Sequence, residues 1–204
     1  MSKGLSKGIT KENIVNTTLE LIRDKENIRS VNLREIARAL GCAHTNLYNH
    51  FSDLDAILWE AVDEVLVRSS QYILGSLDGS ENPEIKLKEF FHRFMDFYLE
   101  NKGWFRLFWT EKLQWDRPEK NKRLTEAMVG KYIDVLMELC VRLYNAELDR
   151  TQVMHIFHTI HCYMYGEVSI FIAGRGLISD ETQFKKYVLE ECVNLTGLLA
   201  GALK

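Results

Sequence analysis

The 204-residue sequence lacks a spaced set of cysteines, a long apolar run and the apolar core of a signal peptide. Its four cysteines form no C-x-x-C pair and match no zinc-site spacing, so we expect thiols buried in a reducing cytosol; they are Cys42, Cys140, Cys162 and Cys192. No stretch approaches the roughly 18 apolar residues that a membrane-spanning helix needs. The start MSKGLSKGIT contains no apolar core either. We therefore expect a cytoplasmic protein with no membrane partner.

Neither sign of charge dominates the sequence, since the net charge is only −3. The charges are unevenly distributed: residues 1–52 carry 8 Lys and Arg against 5 Asp and Glu, and residues 53–204 carry 18 against 24. This division indicates a mildly basic N-terminal head on an acidic body, which would orient the head towards phosphate. A hydrophobic content of 46% is sufficient to bury a full core.

Proline is scarce, and both prolines, Pro83 and Pro118, fall where helical periodicity is interrupted. No segment shows the credible strict alternation that is typical of a strand. The sequence therefore predicts an all-α fold of nine helices. The first follows a cap at Thr10, the second runs from Asn32 to Gly41, and the third begins near Ala43; the others cover about 52–74, 84–101, 104–115, 119–145, 149–174 and 179 to nearly the end, with caps at Ser52, Asp149 and Ser179.

Residues 31–58 have the layout of a helix-turn-helix, in which two short helices meet at a tight turn before a long third. The Asn32 side chain can cap the first helix, and Glu35 can reach back to the backbone N–H of the cap. Gly41 can adopt the positive φ that ends a helix sharply. The expected inner face consists of Ile36, Ala37 and Leu40 on the first helix and of Leu47 and Phe51 on the second.

The other positions of the second helix face outward in this register: His44, Thr45, Asn46, Tyr48, Asn49 and His50. Short polar and aromatic side chains suit a groove of DNA, and we predict that they contact DNA together with Asn32 and Arg34. Two simpler interpretations stay open. Tyr48 and His50 can instead be half-buried links to neighbouring helices, and Asn49 can be a solvated surface residue.

The order Ile36-Ala37, Gly41, Leu47-Tyr48 and His50-Phe51, followed by a new capped helix, resembles the DNA-binding domain of the TetR/AcrR family of bacterial transcription regulators. The resemblance in sequence motifs covers about residues 10–58. Beyond them, the chain resembles the family only in its length and in the order of its helices. It implies an all-helical homodimer. The helix-turn-helix DNA-binding domain would be residues 1–52, and residues 53–204 would form the body that binds a small inducer and the partner subunit.

Three positions depart from the family pattern. Ala43 stands where the family usually has Ser or Thr, so the recognition helix lacks its N-cap, a loss of about 1 kcal/mol. Asn46 stands where a smaller residue is usual, and because Asn can bond adenine through two hydrogen bonds, it is a candidate base reader. Leu54 stands where a Lys commonly helps to hold phosphate, which puts one backbone contact in doubt.

Aromatic residues are dense between the fourth and seventh helices, and most of them must belong to the core. A subset is predicted to line an apolar effector pocket between helices: Phe94, Trp104, Phe108 and Trp109, with His158. His155, His158 and His161 are each three residues apart, a spacing that spreads them around a helix and argues against one three-histidine metal site. A pair with Cys162 or Glu167, a role in the pocket and an ordinary place in the core or interface remain alternatives. We expect neither a metal nor another cofactor.

The ninth helix carries an apolar stripe at alternating spacings of three and four. Four of its residues are predicted to form the dimer interface, in a four-helix bundle with the eighth helix and both helices of a partner: Val188, Cys192, Leu195 and Leu199. The alternative is that both helices simply cover the core of their own domain.

The sequence thus predicts a homodimeric, ligand-responsive transcription regulator, a repressor that a small apolar or aromatic effector releases from a palindromic DNA operator. The fourth helix is expected to be the only link between head and body. The alternative is an adaptor that keeps the helix-turn-helix but acts through a protein partner. We expect no enzyme, because the sequence presents no nucleophile–base pair and no phosphate-binding loop.

Overall fold

The computed structural model describes residues 9–75, 77, 81–113 and 116–203. These residues are largely helical and contain no β-strand, which confirms the all-α prediction. The α-helices are α1 (Lys11–Lys25), α2 (Leu33–Ala39), α3 (Leu54–Leu74), α4 (Pro83–Glu100), α5 (Lys102–Phe105), α6 (Glu119–Tyr144), α7 (Arg150–Ile172) and α8 (Glu181–Ala202). Short 3₁₀-helices cover Ile28–Ser30 and His44–Asn49, and a π-helical turn covers Arg106–Thr110. Within the described part of the chain, no helix is both long and apolar enough to cross a bilayer.

The chain divides into two compact units, each built from two segments. Unit 1 consists of Met1–Leu66 and Asn101–Arg123, and unit 2 consists of Val67–Glu100 and Leu124–Lys204. The chain therefore passes between the units within α3 and again on either side of the segment Asn101–Arg123. The expectation that the fourth helix alone links head and body was wrong, because a segment distant in sequence packs with the head. The predicted boundary after residue 52 stays a prediction.

Unit 1 is organised around α1. Ile14, Leu19 and Ile22 are fully buried on one face of this helix, at the spacing that an amphipathic helix requires. The segment that returns at α5 packs closely against the same helix, because Gly103 presents no side chain and the Trp104 indole Nε1–H donates to the carbonyl oxygen of Leu19 at 2.9 Å. A Cβ atom at position 103 would overlap the carbonyl oxygen of Ile22. The predicted sixth helix is accordingly divided into α5 and the π-helical turn.

Unit 2 has an aromatic core and a helical hairpin. Tyr132 of α6 packs edge-on against Phe90 and Phe94 of α4, with ring centroids 5.7 and 5.9 Å apart, and lies 5.8 Å from Phe157 of α7. At the other end of α7, Phe171 stacks on Phe184 of α8 at 4.2 Å. Such ring pairs add a modest stabilisation to the burial of apolar area.

Local capping signals locate most of the helix starts. The cap at Thr10 is confirmed, and Asp149 forms a reciprocal capping box with Gln152. Two predicted caps were wrong by one residue. Asp53, not Ser52, accepts the backbone N–H of Ala56 at 2.8 Å at the start of α3, and Asp180, not Ser179, accepts the backbone N–H of Gln183. In both places Ser is followed by Asp, whose charged oxygen also interacts with the helix dipole.

The cap at Asp53 yields a test with a built-in control. Asp53→Ala is expected to lower the free energy of unfolding by about 1 kcal/mol, because an N–H at the start of α3 loses its acceptor. Ser52→Ala removes only a hydroxyl that donates to the Asp53 carboxylate at 2.9 Å and is expected to cost clearly less. Urea unfolding of both variants measures the difference, and an equal or reversed order would contradict the assignment.

Candidate nucleic-acid interface

The first helix of the helix-turn-helix, α2, is held at its start by Asn32. The Asn32 side-chain oxygen accepts the backbone N–H groups of Arg34 and Glu35, both at 3.1 Å, which confirms the predicted cap. The Glu35 carboxylate pairs with the Lys25 ammonium of α1, and this hydrogen bond is the largest cause that holds the pKa of Glu35 below its usual range. The backbone N–H of Asn32 lowers the pKa of Glu35 further, in the direction that a reciprocal cap requires.

The turn after α2 depends on Gly41. Its φ is +68°, in the left-handed region where residues with a Cβ are strained. The backbone N–H of Gly41 donates to the Arg38 carbonyl at 3.1 Å, and that of Cys42 donates to the Ala37 carbonyl at 2.9 Å. This pair of bonds is the Schellman motif, and it lets the chain reverse direction within three residues. The predicted helix-turn-helix turn is confirmed.

The recognition segment, His44–Asn49, is a 3₁₀-helix and not the predicted α-helix. Ala43 makes no side-chain cap bond, and the 3₁₀-helix runs for six residues, longer than the three or four that are usual for this geometry. With three residues per turn, Leu47 falls on the inward side and is 1% exposed. Phe51 follows it into the core at 7% exposure.

The predicted DNA-contacting residues lie mostly on the surface. Asn32 and Arg34 are exposed on α2; His44, Thr45, Asn46, Tyr48 and Asn49 are exposed on the recognition segment; His50 is half-buried. The His44 and Tyr48 rings lie 6.5 Å apart, edge to face. All eight belong to unit 1, and α2 packs directly on the recognition segment. Their contact with DNA stays a prediction.

Sequence reasoning missed Lys11, the first residue of α1. Its ammonium lies 5.3 Å from the centroid of the Phe51 ring, directly after the recognition segment, in a cation–π arrangement. Because Lys11 is exposed, its charge is available to a phosphate. Its position directly after the Thr10 cap was the only signal in the sequence, and that signal says nothing about Phe51, which lies 40 residues away.

Two solved structures share this arrangement of helices. A TetR variant from Acinetobacter baumannii AYE, in complex with minocycline, superposes with a TM-score of 0.67 at 18% identity, covering 96% of this chain and 99% of that chain. A TetR family transcription regulator from Marinobacter aquaeolei VT8 superposes with a TM-score of 0.64 at 13% identity, covering 91% and 94%. The fold is that of the TetR family.

By amino-acid sequence, the chain matches a regulator of another organism over part of its length. The chain is 34% identical over 62 residues to an uncharacterized HTH-type transcriptional regulator from Haemophilus influenzae, and this match covers 30% of each protein. No family model matches the sequence.

The five residues of the predicted effector pocket are divided between the two units of this chain. Trp104, Phe108 and Trp109 belong to unit 1, and Phe94 and His158 belong to unit 2. The Trp104 indole is committed to the Leu19 carbonyl, and His158 is exposed on α7 with its ring nitrogens 3.7 and 3.9 Å from the Cys162 sulfur. Neither unit by itself brings the five residues together.

The core of unit 2 instead contains buried polar groups among the aromatic rings. Burial lowers the pKa of His161 to about 4, so this imidazole is neutral at pH 7, and its ring lies 5.3 Å from Phe94 and 5.4 Å from Phe157. Burial likewise raises the pKa of Tyr132 to about 12, an effect that the Ser69 and Ser70 hydroxyls oppose. Ser69, Ser70, Tyr132 and His161 thus place polar groups from α3, α6 and α7 inside an apolar unit.

The three histidines of α7 diverge, as their spacing predicts. His155 and His158 are exposed, whereas His161 is directed into the core. Across the described ranges, no group of three His, Cys, Asp or Glu side chains converges as a metal site would require.

The predicted dimer residues are placed differently from one another. Val188 and Cys192 have no exposed area even in a single chain, because this face of α8 covers the core of its own unit; they are therefore unavailable to a partner. Leu195 and Leu199 are half-buried. The large exposed apolar side chains of the two helices are Met154 and Ile170 on α7 and Tyr187 and Leu198 on α8, with Leu198 70% exposed.

Proposed function

We propose that this protein is a DNA-binding transcription regulator that reads a palindromic operator as a homodimer and responds to a small apolar effector. The observation that carries the proposal is the row of exposed polar and aromatic side chains on the recognition segment, presented behind the Gly41 turn. A helix-turn-helix places this segment in the major groove, where base edges can be distinguished. The TetR-family fold supports the same conclusion.

Within this surface the residues divide by chemistry. The Asn46 amide can donate to and accept from one adenine, which makes it the base reader. The guanidinium of Arg34 and the ammonium of Lys11 carry full charges, and we assign both to phosphate. Lys11 also offers a phosphate contact that Leu54, half-buried at the start of α3, cannot make.

The base-reading role predicts a change in preference as well as in affinity. Asn46→Ala is expected to relax the preference at one base position of each half-site, at about 1–3 kcal/mol for the lost pair of hydrogen bonds. Lys11→Ala is expected to lower the affinity for all DNA sequences alike. It is also expected to reduce the slope of log K against log salt by about one unit for each half-site. Binding to a set of single-base operator variants at several salt concentrations measures both effects.

The two variants serve as controls for each other. An unchanged preference profile for Asn46→Ala would remove the base-reading role. A sequence-dependent loss for Lys11→Ala would remove the phosphate role. If neither wild type nor variant prefers any duplex, the alternative of an adaptor that acts through a protein partner takes precedence.

For the dimer, we propose that α7 and α8 pair with the same helices of a second copy. Between its ends, α7 carries only one residue among Asp, Glu, Lys and Arg, which is Glu167. Met154 and Leu198 are examples of apolar side chains that a partner would cover. Because an operator palindrome mirrors a two-fold axis, the second copy supplies the recognition segment for the second half-site.

For the effector, we propose an apolar or aromatic molecule that enters the core of unit 2 beside Phe94, Tyr132 and His161. A neutral imidazole can accept or donate one hydrogen bond, and the surrounding rings supply the apolar walls. A protein of the same fold is in complex with minocycline, which is compatible with a polycyclic ligand. Here Phe94 is retained from the predicted pocket.

The effector proposal is tested by linkage. A compound selected for raising the thermal stability of the protein is expected to bind the operator complex about 5–150-fold more weakly than free protein, because coupling between the two sites is reciprocal. His161→Phe is expected to lower the affinity for this compound about tenfold or more, since a buried hydrogen bond is lost. Calorimetric titration of both forms measures these values, and equal affinities for free and operator-bound protein would exclude an inducer mechanism.

A further inference from the structure

Unit 1 contains a cleft that the DNA-binding proposal does not use. It has a volume of about 470 Å³, within the range of small-molecule sites, and lies between one face of α3 and the start of α6. Asp53, Ala56, Trp59, Glu60 and Asp63 line it from α3 and its cap, at the three- and four-residue spacing of a single helix face, and Pro118 and Lys120 line the other side.

Two carboxylates of the cleft converge on one ammonium group. The Lys120 Nζ lies 2.7 Å from Glu60 Oε2 and 3.2 Å from Asp63 Oδ2. The Asp63 side chain is only 10% exposed, and its second oxygen accepts a hydrogen bond from the Asn121 amide. A carboxylate this well buried must be paired, so the position between Glu60 and Asp63 is built for a cation.

The cation that occupies this position is attached to an exposed side chain. The Lys120 side chain is 64% exposed, and an exposed lysine gains little from holding one geometry. The carboxylates of Glu60 and Asp63 both pair with this one ammonium. A ligand amine can therefore replace the lysine without leaving a carboxylate unpaired.

The wall beside this position is suited to an aromatic ligand. Trp59 lines the cleft, and among the described residues its buried indole N–H has no hydrogen-bond acceptor. Buried donors are nearly always satisfied, so a missing acceptor is a feature that a ligand can supply. Ala56 and Pro118 provide apolar surface next to the indole.

We propose that this cleft binds an arylalkylamine whose ammonium replaces that of Lys120 between Glu60 and Asp63. The aromatic body lies against Ala56, Trp59 and Pro118, and an ether or carbonyl oxygen on it accepts the Trp59 N–H. The site is separate from the effector site proposed in unit 2, and its occupation does not require DNA.

The test uses para-methoxyphenethylamine and the indole N–H signals of the free protein. Nitrogen-15 labelling of the four tryptophans gives one signal each, and Trp59→Phe assigns the signal of interest. The amine is expected to shift the Trp59 signal and to leave that of Trp104, which donates to the Leu19 carbonyl, in place. The N-acetyl derivative, which has no charge, is expected to shift neither.

Substitution of the competing lysine gives the sharper result. Lys120→Met is expected to raise the affinity for the amine about two- to fivefold, because the ligand no longer has to displace the lysine from its ion pairs. The matched control, Lys122→Met, removes a neighbouring ammonium that pairs with Glu119 at 3.4 Å and is expected to leave the affinity unchanged. Glu60→Gln, at a side chain that is 41% exposed, is expected to weaken the amine at least twofold.

Three results would overturn the proposal: equal or weaker amine binding by Lys120→Met, equal binding of the N-acetyl derivative, or no shift of the Trp59 signal up to the solubility limit of the amine. Asp63 retains its hydrogen bond from Asn121 in Lys120→Met, and the dispersion of the indole signals reports whether the variant is folded. If it is not, the Glu60→Gln comparison decides alone, and unchanged binding by that variant overturns the proposal.

Discussion

Gly103→Ala is expected to lower the free energy of unfolding by about 3 kcal/mol. The added Cβ would overlap the Ile22 carbonyl oxygen, which is backbone and cannot rotate away. Relief requires α5 to move off α1, and this movement breaks the bond from the Trp104 indole to Leu19 and the contact of Arg106 with the Glu26 carbonyl. Chemical denaturation followed by tryptophan fluorescence measures the loss.

Gly130→Ala is the matched control, because position 130 is also helical and a Cβ there meets only the flexible end of Arg150 at 3.2 Å. It is expected to be neutral or to stabilise the protein by up to about 1 kcal/mol, since alanine is the better helix former. If Gly103→Ala costs no more than Gly130→Ala, the close docking of α5 on α1 is wrong.

Leu198→Glu is expected to convert the proposed dimer to a monomer and to lower operator affinity about 100-fold or more. Leu198 is 70% exposed on α8 in the single chain, so a charge there is expected to cost a monomer little, whereas the proposed interface would bury that charge. A monomer loses the second half-site, and linked half-sites gain about 10²–10⁴ in affinity over a single one. Sedimentation equilibrium and operator titration measure the two effects.

Ile85→Glu provides the comparison, because Ile85 is 52% exposed in the first turn of α4 and is not on either of the proposed interface helices. A glutamate at a helix start is favourable, so the mass and the operator affinity are expected to remain those of wild type. A Leu198→Glu protein that sediments as a dimer with full operator affinity would contradict the proposed interface, and so would a monomeric wild type.

Features that depend on neighbouring residues could be predicted from the sequence. The caps at Thr10, Asn32 and Asp149 and the turn at Gly41 each require only a side chain or a permissive φ within a few positions, and each is confirmed. Such predictions are accurate to about one residue, as Ser52-Asp53 and Ser179-Asp180 show. Either residue of each pair can cap a helix, and in the structure Asp makes the cap bond in both.

Features that depend on distant residues could not be predicted in the same way. The contact between Trp104 and Leu19 spans 85 positions, and that between Asn121 and Asp63 spans 58. Nothing in either local sequence indicates its partner. The stripe on α8 shows a related limit, because periodicity identifies Val188 and Cys192 as buried but not what buries them. Likewise the missing cap at Ala43 was visible in the sequence, whereas the 3₁₀ geometry of the following segment was not.

The central claim, that the recognition segment reads DNA as part of a symmetric dimer, is tested most directly by selection from a library of random duplexes. Wild-type protein is expected to enrich an inverted repeat whose half-sites are about one helical turn or a little more apart, and Asn46→Ala is expected to lose information at one position in each half. Enrichment of no sequence, or of a single unrepeated site that Asn46→Ala selects equally well, would contradict the account.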